Sequence, residues 1–202
     1  MSGAVDHGEA RRLLLAQVRE AYGRAAYTHK THEKQADLCF ESHKRQQRLL
    51  LTLAVISSGS FLASLLGLLV NESWAALGTS FIALLVTGIN LGTKTFKYGE
   101  DTQKHRDVAA KVWNLRESYQ SLIVDLQSNT ITVDEGRARR DSLQREALAT
   151  YGEAPRSTAK AYHRAQEALQ RKEDLTFSTE ELDLLLPAGL RSTAERGRDE
   201  GK

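Results

Sequence analysis

The chain contains 202 residues, of which 27% are charged and 41% hydrophobic, and its mean hydropathy is −0.44. The length predicts one domain, or one domain with a tail. A single cysteine excludes an intramolecular disulfide framework and a cysteine-based zinc finger. The formal net charge of +2, from 28 basic and 26 acidic residues, disfavours nucleic acid as a partner.

The charges are distributed very unevenly. Residues 49–93 contain one charged residue, Glu72, whereas the other 53 charges lie in the remaining 157 residues. Charge-free runs of 23 and 21 residues result, at 49–71 and 73–93. A helix needs roughly 20 apolar residues to cross a bilayer, so the runs predict two membrane spans, at 49–70 and 74–93. The alternative is a buried helical hairpin in a soluble protein, but such helices rarely lack a charged face over this length.

The flanks of the two spans predict their orientation. The connecting turn at 71–73 is too short for anything but an antiparallel hairpin, and it carries no basic residue. Basic residues instead border the other end of each span, where they could also hold anionic lipid headgroups. These are Lys44, Arg45, Arg48, Lys94 and Lys97. Because positive charge favours the cytoplasmic side, both termini are expected in the cytoplasm.

The charged regions at 9–48 and 94–128 are predicted to form helices that extend the hairpin into a cytoplasmic stalk. Their apolar residues recur every three or four positions. One seam comprises Leu15, Val18, Tyr22, Ala25, His29, His32, Ala36, Cys39 and His43, and the other comprises His105, Val108, Val112, Leu115, Tyr119, Leu122 and Leu126. The expected fold is therefore an all-α membrane protein with a two-span antiparallel helical hairpin.

Two short cytoplasmic helical elements are predicted after the stalk. Ser128-Asn129 breaks the second stalk helix, and Thr132 with Glu135 forms a capping-box pattern that begins a helical hairpin at 133–171. A second capping pattern at Ser178 begins a short helix at 178–187, which Pro187 stops. Residues 1–8 and the polar tail at 191–202 are expected to be disordered.

Small and polar residues form stripes on both predicted spans. One interpretation is that they pack the hairpin and hold protomers together, because small residues let helices approach and polar ones bond across the contact. The other is that a stripe lines a water-filled path, which needs several copies. Asn90 is the most informative, since an amide at that depth must face protein or water. The candidates for pore lining or interspan packing are Ser57, Ser60, Ser64, Gly67, Ser80, Thr87 and Asn90, and the small-residue packing candidates are Gly59, Ala63, Gly88 and Gly92.

The first stalk seam carries several side chains that could bind a metal ion. His29, His32, Cys39 and His43 share one helix face, and such ligands suit transition metals. Positions 29 and 43 lie about four turns apart, too far for one ion. Interhelical packing and hydrogen bonding are the favoured interpretation, and no metal or other cofactor is predicted.

The hairpin also predicts which stalk residues face each other. If the chain folds about residues 72–73, facing positions have numbers that sum to about 145 in two continuous helices. His32 then lies opposite Trp113, and His29 lies near Arg116 and Glu117. This cluster is either a hydrogen-bonded register lock or a switch that senses a partner, and the sequence leaves both interpretations open.

No pattern typical of catalysis is present in the sequence. It contains neither a Ser-His-Asp arrangement with a nucleophile elbow, nor a GxxxxGK[ST] phosphate loop, nor GxGxxG after a strand. The chain is therefore expected not to be an enzyme.

A combination of motifs resembles a known family. The stretch AYTHKTHEKQADL precedes the first predicted span, LRESY occupies residues 115–119, and a Pro155-x-Ser/Thr step precedes an alanine-rich helix. Together with two closely spaced spans, they resemble the SLATT domain, that is, the SMODS- and SLOG-associating two-transmembrane effectors of bacteria. The resemblance covers roughly residues 10–187, within a predicted domain at 9–190, and ends in LDLLLP-x-x-LR at 182–191.

The resemblance implies a non-enzymatic effector in the bacterial inner membrane that acts in antiphage conflict systems. Such proteins are thought to assemble pores or otherwise breach the membrane, killing or arresting the cell. The expected partners are membrane lipids, further copies of the chain, and a separate nucleotide-second-messenger synthase or sensor protein. The alternative is a membrane-anchored scaffold whose stalk recruits a partner. The family supplies no catalytic or established ligand-binding residues.

Overall fold

The computed structural model describes residues 2–65, 72–171, 176–187 and 191, without the side chains of 2–7, 59–65, 72–77, 79 and 93–95. The described residues form six α-helices and no strand, as expected for an all-α protein. The helices are α1 (Ser2–Leu65), α2 (Glu72–Thr95), α3 (Tyr98–Gln127), α4 (Val133–Glu153), α5 (Ala159–Arg171) and α6 (Thr179–Leu185).

Helix α1 runs without interruption through the predicted stalk helix and into the first predicted span. Helix α1 contains no proline, a residue that would remove a helical hydrogen bond, since the first proline of the chain is Pro155. At about 1.5 Å per residue, a helix of this length extends for roughly 95 Å. The structure differs from the expected disordered segment at 1–8, because residues 2–8 continue this helix.

The second arm of the hairpin is broken where the first is continuous. Phe96 and Lys97 are not helical, and Lys97 has φ −84° and ψ 53°. The rings of Phe96 and Tyr98 stack across this break with their centroids 5.7 Å apart. The second stalk helix therefore begins at Tyr98, and α2 and α3 are separate elements.

The core lies where α1 packs against α3 and α4. The whole predicted seam of α3, from His105 to Leu126, is buried. On α1, Val18 and Ala25 are buried as predicted. Towards the N-terminus of the helix, Leu14 is buried in place of Leu15, and Ala21 in place of Tyr22. The heptad-like pattern thus located the contact face correctly to within one position.

The turn between α3 and α4 contains the helix break and the capping box that the sequence predicts. Asn129 adopts φ 58°, a left-handed conformation that asparagine tolerates better than most residues and that ends a helix. The capping box is complete, because Thr132 Oγ1 accepts from the backbone of Glu135 and the Glu135 carboxylate accepts from the backbone of Thr132. Arg11 of α1 ties this turn to the stalk by donating to the carbonyl oxygens of Leu126 at 2.8 Å and Ile131 at 2.6 Å.

Helix α5 does not fold back along α4, so the helical hairpin expected at 133–171 is wrong in its packing. An extended linker at 154–158 carries the chain to α1 instead. Three alanines, Ala161, Ala165 and Ala168, are buried there, since their small side chains permit a close approach between helices. Helix α6 follows with a complete capping box at Ser178, and none of its residues is buried.

Within the described residues, no helix offers a segment both long and apolar enough to cross a membrane. Residues 66–71, which complete the first predicted span and contain Gly67, lie outside the described part of the chain. The tail at 192–202 lies outside it as well.

Candidate functional site: a buried polar centre in the stalk

Four consecutive residues of α1 are buried midway along the stalk. They are His29, Lys30, Thr31 and His32, all at most 8% exposed. Successive helical residues point in directions about 100° apart, so burying four in a row requires neighbours on more than one side. Helices α3 and α5 provide them. The THKTHE stretch that marks the family resemblance is therefore the meeting point of three helices.

The centre of this cluster is a pair of histidines. His32 Nδ1 and His105 Nδ1 lie 2.8 Å apart, and the ring centroids lie 5.0 Å apart. A hydrogen bond between two imidazole nitrogens requires one of them to be an acceptor, so the two Nδ1 atoms do not both carry protons. The bond is thus incompatible with protonation of both rings.

Burial keeps both of these rings neutral. Desolvation, with a smaller contribution from His105, lowers the pKa of His32 from 6.5 to about 4. Desolvation also lowers the pKa of His105, against the opposing effect of the Asp101 carboxylate. At neutral pH the pair is uncharged and acts as a hydrogen-bonded contact between α1 and α3.

His29 makes a second link between these helices. Its Nδ1 lies 3.0 Å from the carbonyl oxygen of Ala109, and because a carbonyl can only accept, Nδ1 carries the proton. Its Nε2 lies 3.7 Å from the Glu33 carboxylate, which also pairs with Lys30 at 2.9 Å.

Gln35 joins α5 to this centre. Its Oε1 accepts from the Thr158 backbone N at 3.0 Å and from Thr158 Oγ1 at 2.7 Å. Its Nε2 lies 3.5 Å from Cys39 Sγ. Neither Gln35 nor the pairing of His105 with His32 was predicted from the sequence. The sequence feature that could have identified Thr158 is the Pro155-x-Ser/Thr step, because it places a hydroxyl just before a helix.

The predicted register of the stalk is wrong. His32 contacts His105 rather than lying opposite Trp113, so the paired numbers sum to 137 instead of about 145. That prediction placed the turn of the hairpin at residues 72–73, whereas α1 ends at Leu65 and α2 already begins at Glu72. The numbers of these two helix ends sum to 137, as those of the histidine pair do. The non-helical residues Phe96 and Lys97 add the length of only about two helical residues, which is too little to account for the difference.

Trp113 and His29 nevertheless border the same groove between α1 and α3. It has a volume of about 560 Å³, and its walls also include Lys30, Lys34 and Arg106. Arg116 lies on the next turn of α3, where it contacts Glu117 at 2.7 Å rather than His29. Its Nε and Nη1 are buried and have no hydrogen-bond partner among the residues that the structure describes.

The candidate residues of the hairpin fall only partly within the described part of the chain. The side chains of Ser57, Ser80, Thr87 and Asn90 lie at exposed positions, and Thr87 bonds to the carbonyl of Ala83 in its own helix. Among the described atoms, none lies within 4 Å of a Cβ added at Gly88 or Gly92. The side chains at Ser60, Ser64, Gly59 and Ala63 lie outside the described part, as does residue Gly67.

The basic residues proposed to set the topology lie in the second half of α1 and around the break between α2 and α3. Lys44 lies 4.3 Å from the centre of the Phe40 ring, Arg45 lies 3.8 Å from Glu41, and Arg48 is exposed. Lys97 pairs with Glu100 at 3.1 Å. The side chain of Lys94 is outside the described part. Among the described residues, no group of three or more His, Cys, Asp or Glu side chains is arranged to hold a metal ion.

The model of the SMODS and SLOG-associating 2TM effector domain family 4 matches residues 14–181 of the chain. The chain belongs to this family. The match confirms the resemblance seen in the sequence and also assigns the subfamily, which the sequence motifs left open. The polar centre lies wholly within the matched residues. No curated protein and no solved structure matches the chain.

Membership of this family defines the general class of the protein. The family consists of two-transmembrane effector domains associated with conflict systems, and it is not known for enzymatic activity. It therefore implies association with a membrane.

Proposed function

We propose that the chain is a non-enzymatic, oligomeric effector that forms pores in the bacterial inner membrane or otherwise disrupts it. It acts downstream of a nucleotide second messenger or a SLOG sensor, made or carried by a separate protein. Its activation ends in death or arrest of the cell. Membership of an effector family named for its association with SMODS and SLOG supports this placement.

The observation that carries the proposal is the apolar surface of the hairpin helices. Leu51 on α1 and Leu84 on α2 are 67% and 69% exposed, and Val55, Phe81 and Leu91 are similarly uncovered. A continuous apolar surface of this kind is rare on a protein that works alone in water, and it marks contact with a membrane or with other protein. Insertion of both helices in a bilayer, with neighbouring copies alongside, would cover it.

In such an assembly, the small residues would pack helices together and the polar residues would line a conducting path. No described atom lies within 4 Å of a Cβ added at Gly88 or Gly92, which leaves room for a helix of a second copy to approach. Asn90 lies two residues from each glycine, on a different face of α2. In a ring of copies it would face a shared aqueous path. The signal favours this assembly by binding it more tightly than the resting state.

Membrane leak on strong induction in bacteria tests the proposal. Entry of a membrane-impermeant dye and depolarisation are expected, and Asn90→Leu is expected to reduce both. Asn114→Leu is the matched control, because it makes the same change at an exposed stalk position where the side chain bonds weakly to Glu146 at 3.4 Å. Unchanged leak in Asn90→Leu would refute a pore-lining role for that residue.

The orientation is tested separately by cysteine labelling. In a Cys39→Ala background, single cysteines at Ser2 and Lys202 are expected to react with an impermeant maleimide only after the cells are opened. Labelling of either position from outside intact cells would overturn the proposed topology with both termini in the cytoplasm.

A membrane-anchored scaffold is the second candidate, and helix α6 favours it. Leu184 and Leu185 are 81% and 73% exposed on a helix that buries none of its residues. Exposed leucines on a short helix are a typical means of docking into a partner's groove. A scaffold would give neither dye entry nor depolarisation at any expression level, so the same leak experiment distinguishes the two functions.

A further inference from the structure

Helix α6 is a preformed helix that the described part of the chain leaves uncovered. The capping box of Ser178 and Glu181 holds its first turn, and Arg191 donates to the carbonyl oxygen of Leu186 at its other end, at 2.9 Å. None of its seven residues is buried. Because an isolated helix shorter than about 12–15 residues is marginal in water, α6 depends on these caps and on contact with other protein.

The leucines of α6 form an apolar surface that needs a cover. Leu184 and Leu185 are largely exposed, and Leu182 shares a face with Leu185 because it lies three residues before it. The side chain of Phe177, just before the helix, is 62% exposed as well. Apolar residues at this spacing are the anchors with which a helix docks into a groove of another protein.

The groove between α1 and α3 has the shape to receive such a helix. Its volume is about 560 Å³, and three small side chains line it, those of Ala36, Ala109 and Ala110. Small residues permit the close approach of another helix. The indole of Trp113, which is 48% exposed, forms an apolar edge beside them. Aromatic side chains of this kind are enriched where proteins contact one another.

The charges of α6 and of the groove are complementary. Helix α6 carries three carboxylates and no basic residue, whereas the groove has a formal net charge of +1 from three cations and two carboxylates. The charged residues of the groove are Lys30, Lys34, Arg106, Glu33 and Asp37. Glu33 pairs with Lys30 at 2.9 Å, and Arg106 is exposed beside the Phe40 ring. The groove therefore attracts an acidic helix and disfavours a basic one.

We propose that α6 of one copy docks in the groove between α1 and α3 of a neighbouring copy. Its leucines cover Trp113 and the alanines, and its carboxylates face the cations of the groove. In its own chain, α6 contributes no residue to the described walls of this groove.

The proposed contact joins two different surfaces, so it is a heterologous interface. Such interfaces build a closed ring wherever the rotation between successive copies closes, and an open filament otherwise. The inference rests on the proposed function only in requiring several copies. It deepens that function by naming the contact that joins them in the stalk, outside the membrane hairpin.

Disulfide formation between two differently tagged copies, made together in bacteria, tests the proposal. Cys39→Ala removes the one native cysteine from both copies. One copy then carries Leu184→Cys, and the other carries Ala110→Cys at an exposed position in the groove. Oxidation with copper phenanthroline is expected to give a dimer that contains both tags, because a disulfide needs Cβ atoms within roughly 4.5 Å. Leu148→Cys replaces Leu184→Cys in the matched control, since Leu148 is similarly exposed on α4 and does not line the groove.

Sedimentation of the detergent-solubilised full-length chain, over a dilution series, measures the strength of the contact. Leu184→Asp is expected to raise the concentration at which half of the chains are assembled about tenfold, because the burial of one leucine is lost. Arg106→Glu is expected to raise it too, since a carboxylate in the groove repels the acidic helix. Leu148→Asp and Arg145→Glu make the same changes at exposed positions of α4 and are expected to leave it unchanged. Circular dichroism checks that each variant keeps its helix content.

Several results would overturn the inference. One is a two-tag dimer that forms equally well with Leu148→Cys, which reflects chance collision, and another is the absence of any disulfide. A third is a disulfide found only within single chains of the double variant Leu184→Cys/Ala110→Cys, which places α6 on its own groove. An unchanged half-assembly concentration in Leu184→Asp is the fourth.

Membrane leak on induction is measured independently of this contact. Leak without the two-tag disulfide would refute the docking of α6 and leave the proposed function standing. The disulfide without leak under any condition would refute the proposed pore and leave the contact between copies standing.

Discussion

The neutral pair of His32 and His105 predicts a specific loss of stability in acid. Unfolded histidine binds a proton near pH 6.5, whereas folded His32 does so only near pH 4. Between these values the unfolded state binds more protons, so the free energy of unfolding falls as the pH falls. The lowered pKa of His105 acts in the same direction, and the two rings titrate as a coupled unit.

The size of the effect follows from the shift of His32 alone. Protonation of the unfolded state lowers stability by about 2 kcal/mol between pH 7.5 and pH 5, for a pKa that changes from 6.5 to about 4. For a chain of this length, that free energy corresponds to a decrease in melting temperature of roughly 4–8 °C. Because His32 is only 5% exposed, solvent screening reduces this effect little.

Thermal melts followed by circular dichroism, at pH 7.5 and pH 5 in one detergent, measure this difference. The double variant His32→Phe/His105→Phe keeps two packed rings and removes both titrations. Between pH 7.5 and pH 5, its melting temperature should therefore fall by roughly 4–8 °C less than that of the native chain. His163→Gln, at an exposed position of α5, is the control and should keep the full dependence. If the double variant and the native chain lose the same melting temperature on acidification, the histidine pair does not control acid stability.

Three further substitutions test the packing around the site. Gln35→Leu removes the acceptor of both Thr158 bonds and is expected to cost about 1–3 kcal/mol and to speed amide hydrogen exchange in α5 selectively; uniform exchange changes would contradict this. Asn129→Val is expected to lower the melting temperature, because a β-branched residue is strained at φ 58°, while Asn129→Gly should not. Gly136→Val should also destabilise the chain, since even a Cβ there would lie 2.9 Å from Leu126 Cδ2, and an unchanged melting temperature would show that the leucine moves freely.

The local features of the fold were predictable because they depend on few residues. Thr132 with Glu135, and Ser178 with Glu181, form complete capping boxes where the sequence places them. The apolar seam of α3 is buried throughout for a similar reason, since a period near 3.5 residues leaves a helix one face to bury. Such patterns require no knowledge of what lies elsewhere in the chain.

The candidate site was less predictable because it depends on distances between helices. The register error arose because the turn was predicted at residues 72–73, whereas α1 ends at Leu65 and α2 begins at Glu72, and no proline or charge in the apolar run marks that end of α1. The docking of α5 on α1 includes a glutamine side chain, Gln35, that reaches Thr158, 123 positions away in the chain. Both features pair residues that carry no periodic signal, so the sequence identified His29 and His32 as important but assigned them the wrong neighbours.

The two arms between the stalk and the hairpin differ in stiffness, which bears on how a stalk signal would reach the membrane. Helix α1 is continuous from His32 to Leu53, a distance of about 30 Å along the axis, so a tilt of the stalk is carried to the first predicted span. The other arm contains two non-helical residues, Phe96 and Lys97, where backbone rotation absorbs such a tilt. A change in the contacts between α1 and α3 would therefore move the two predicted spans relative to each other rather than together. Relative movement of spans is what a shift between closed and open assemblies requires, because it changes which helix faces meet.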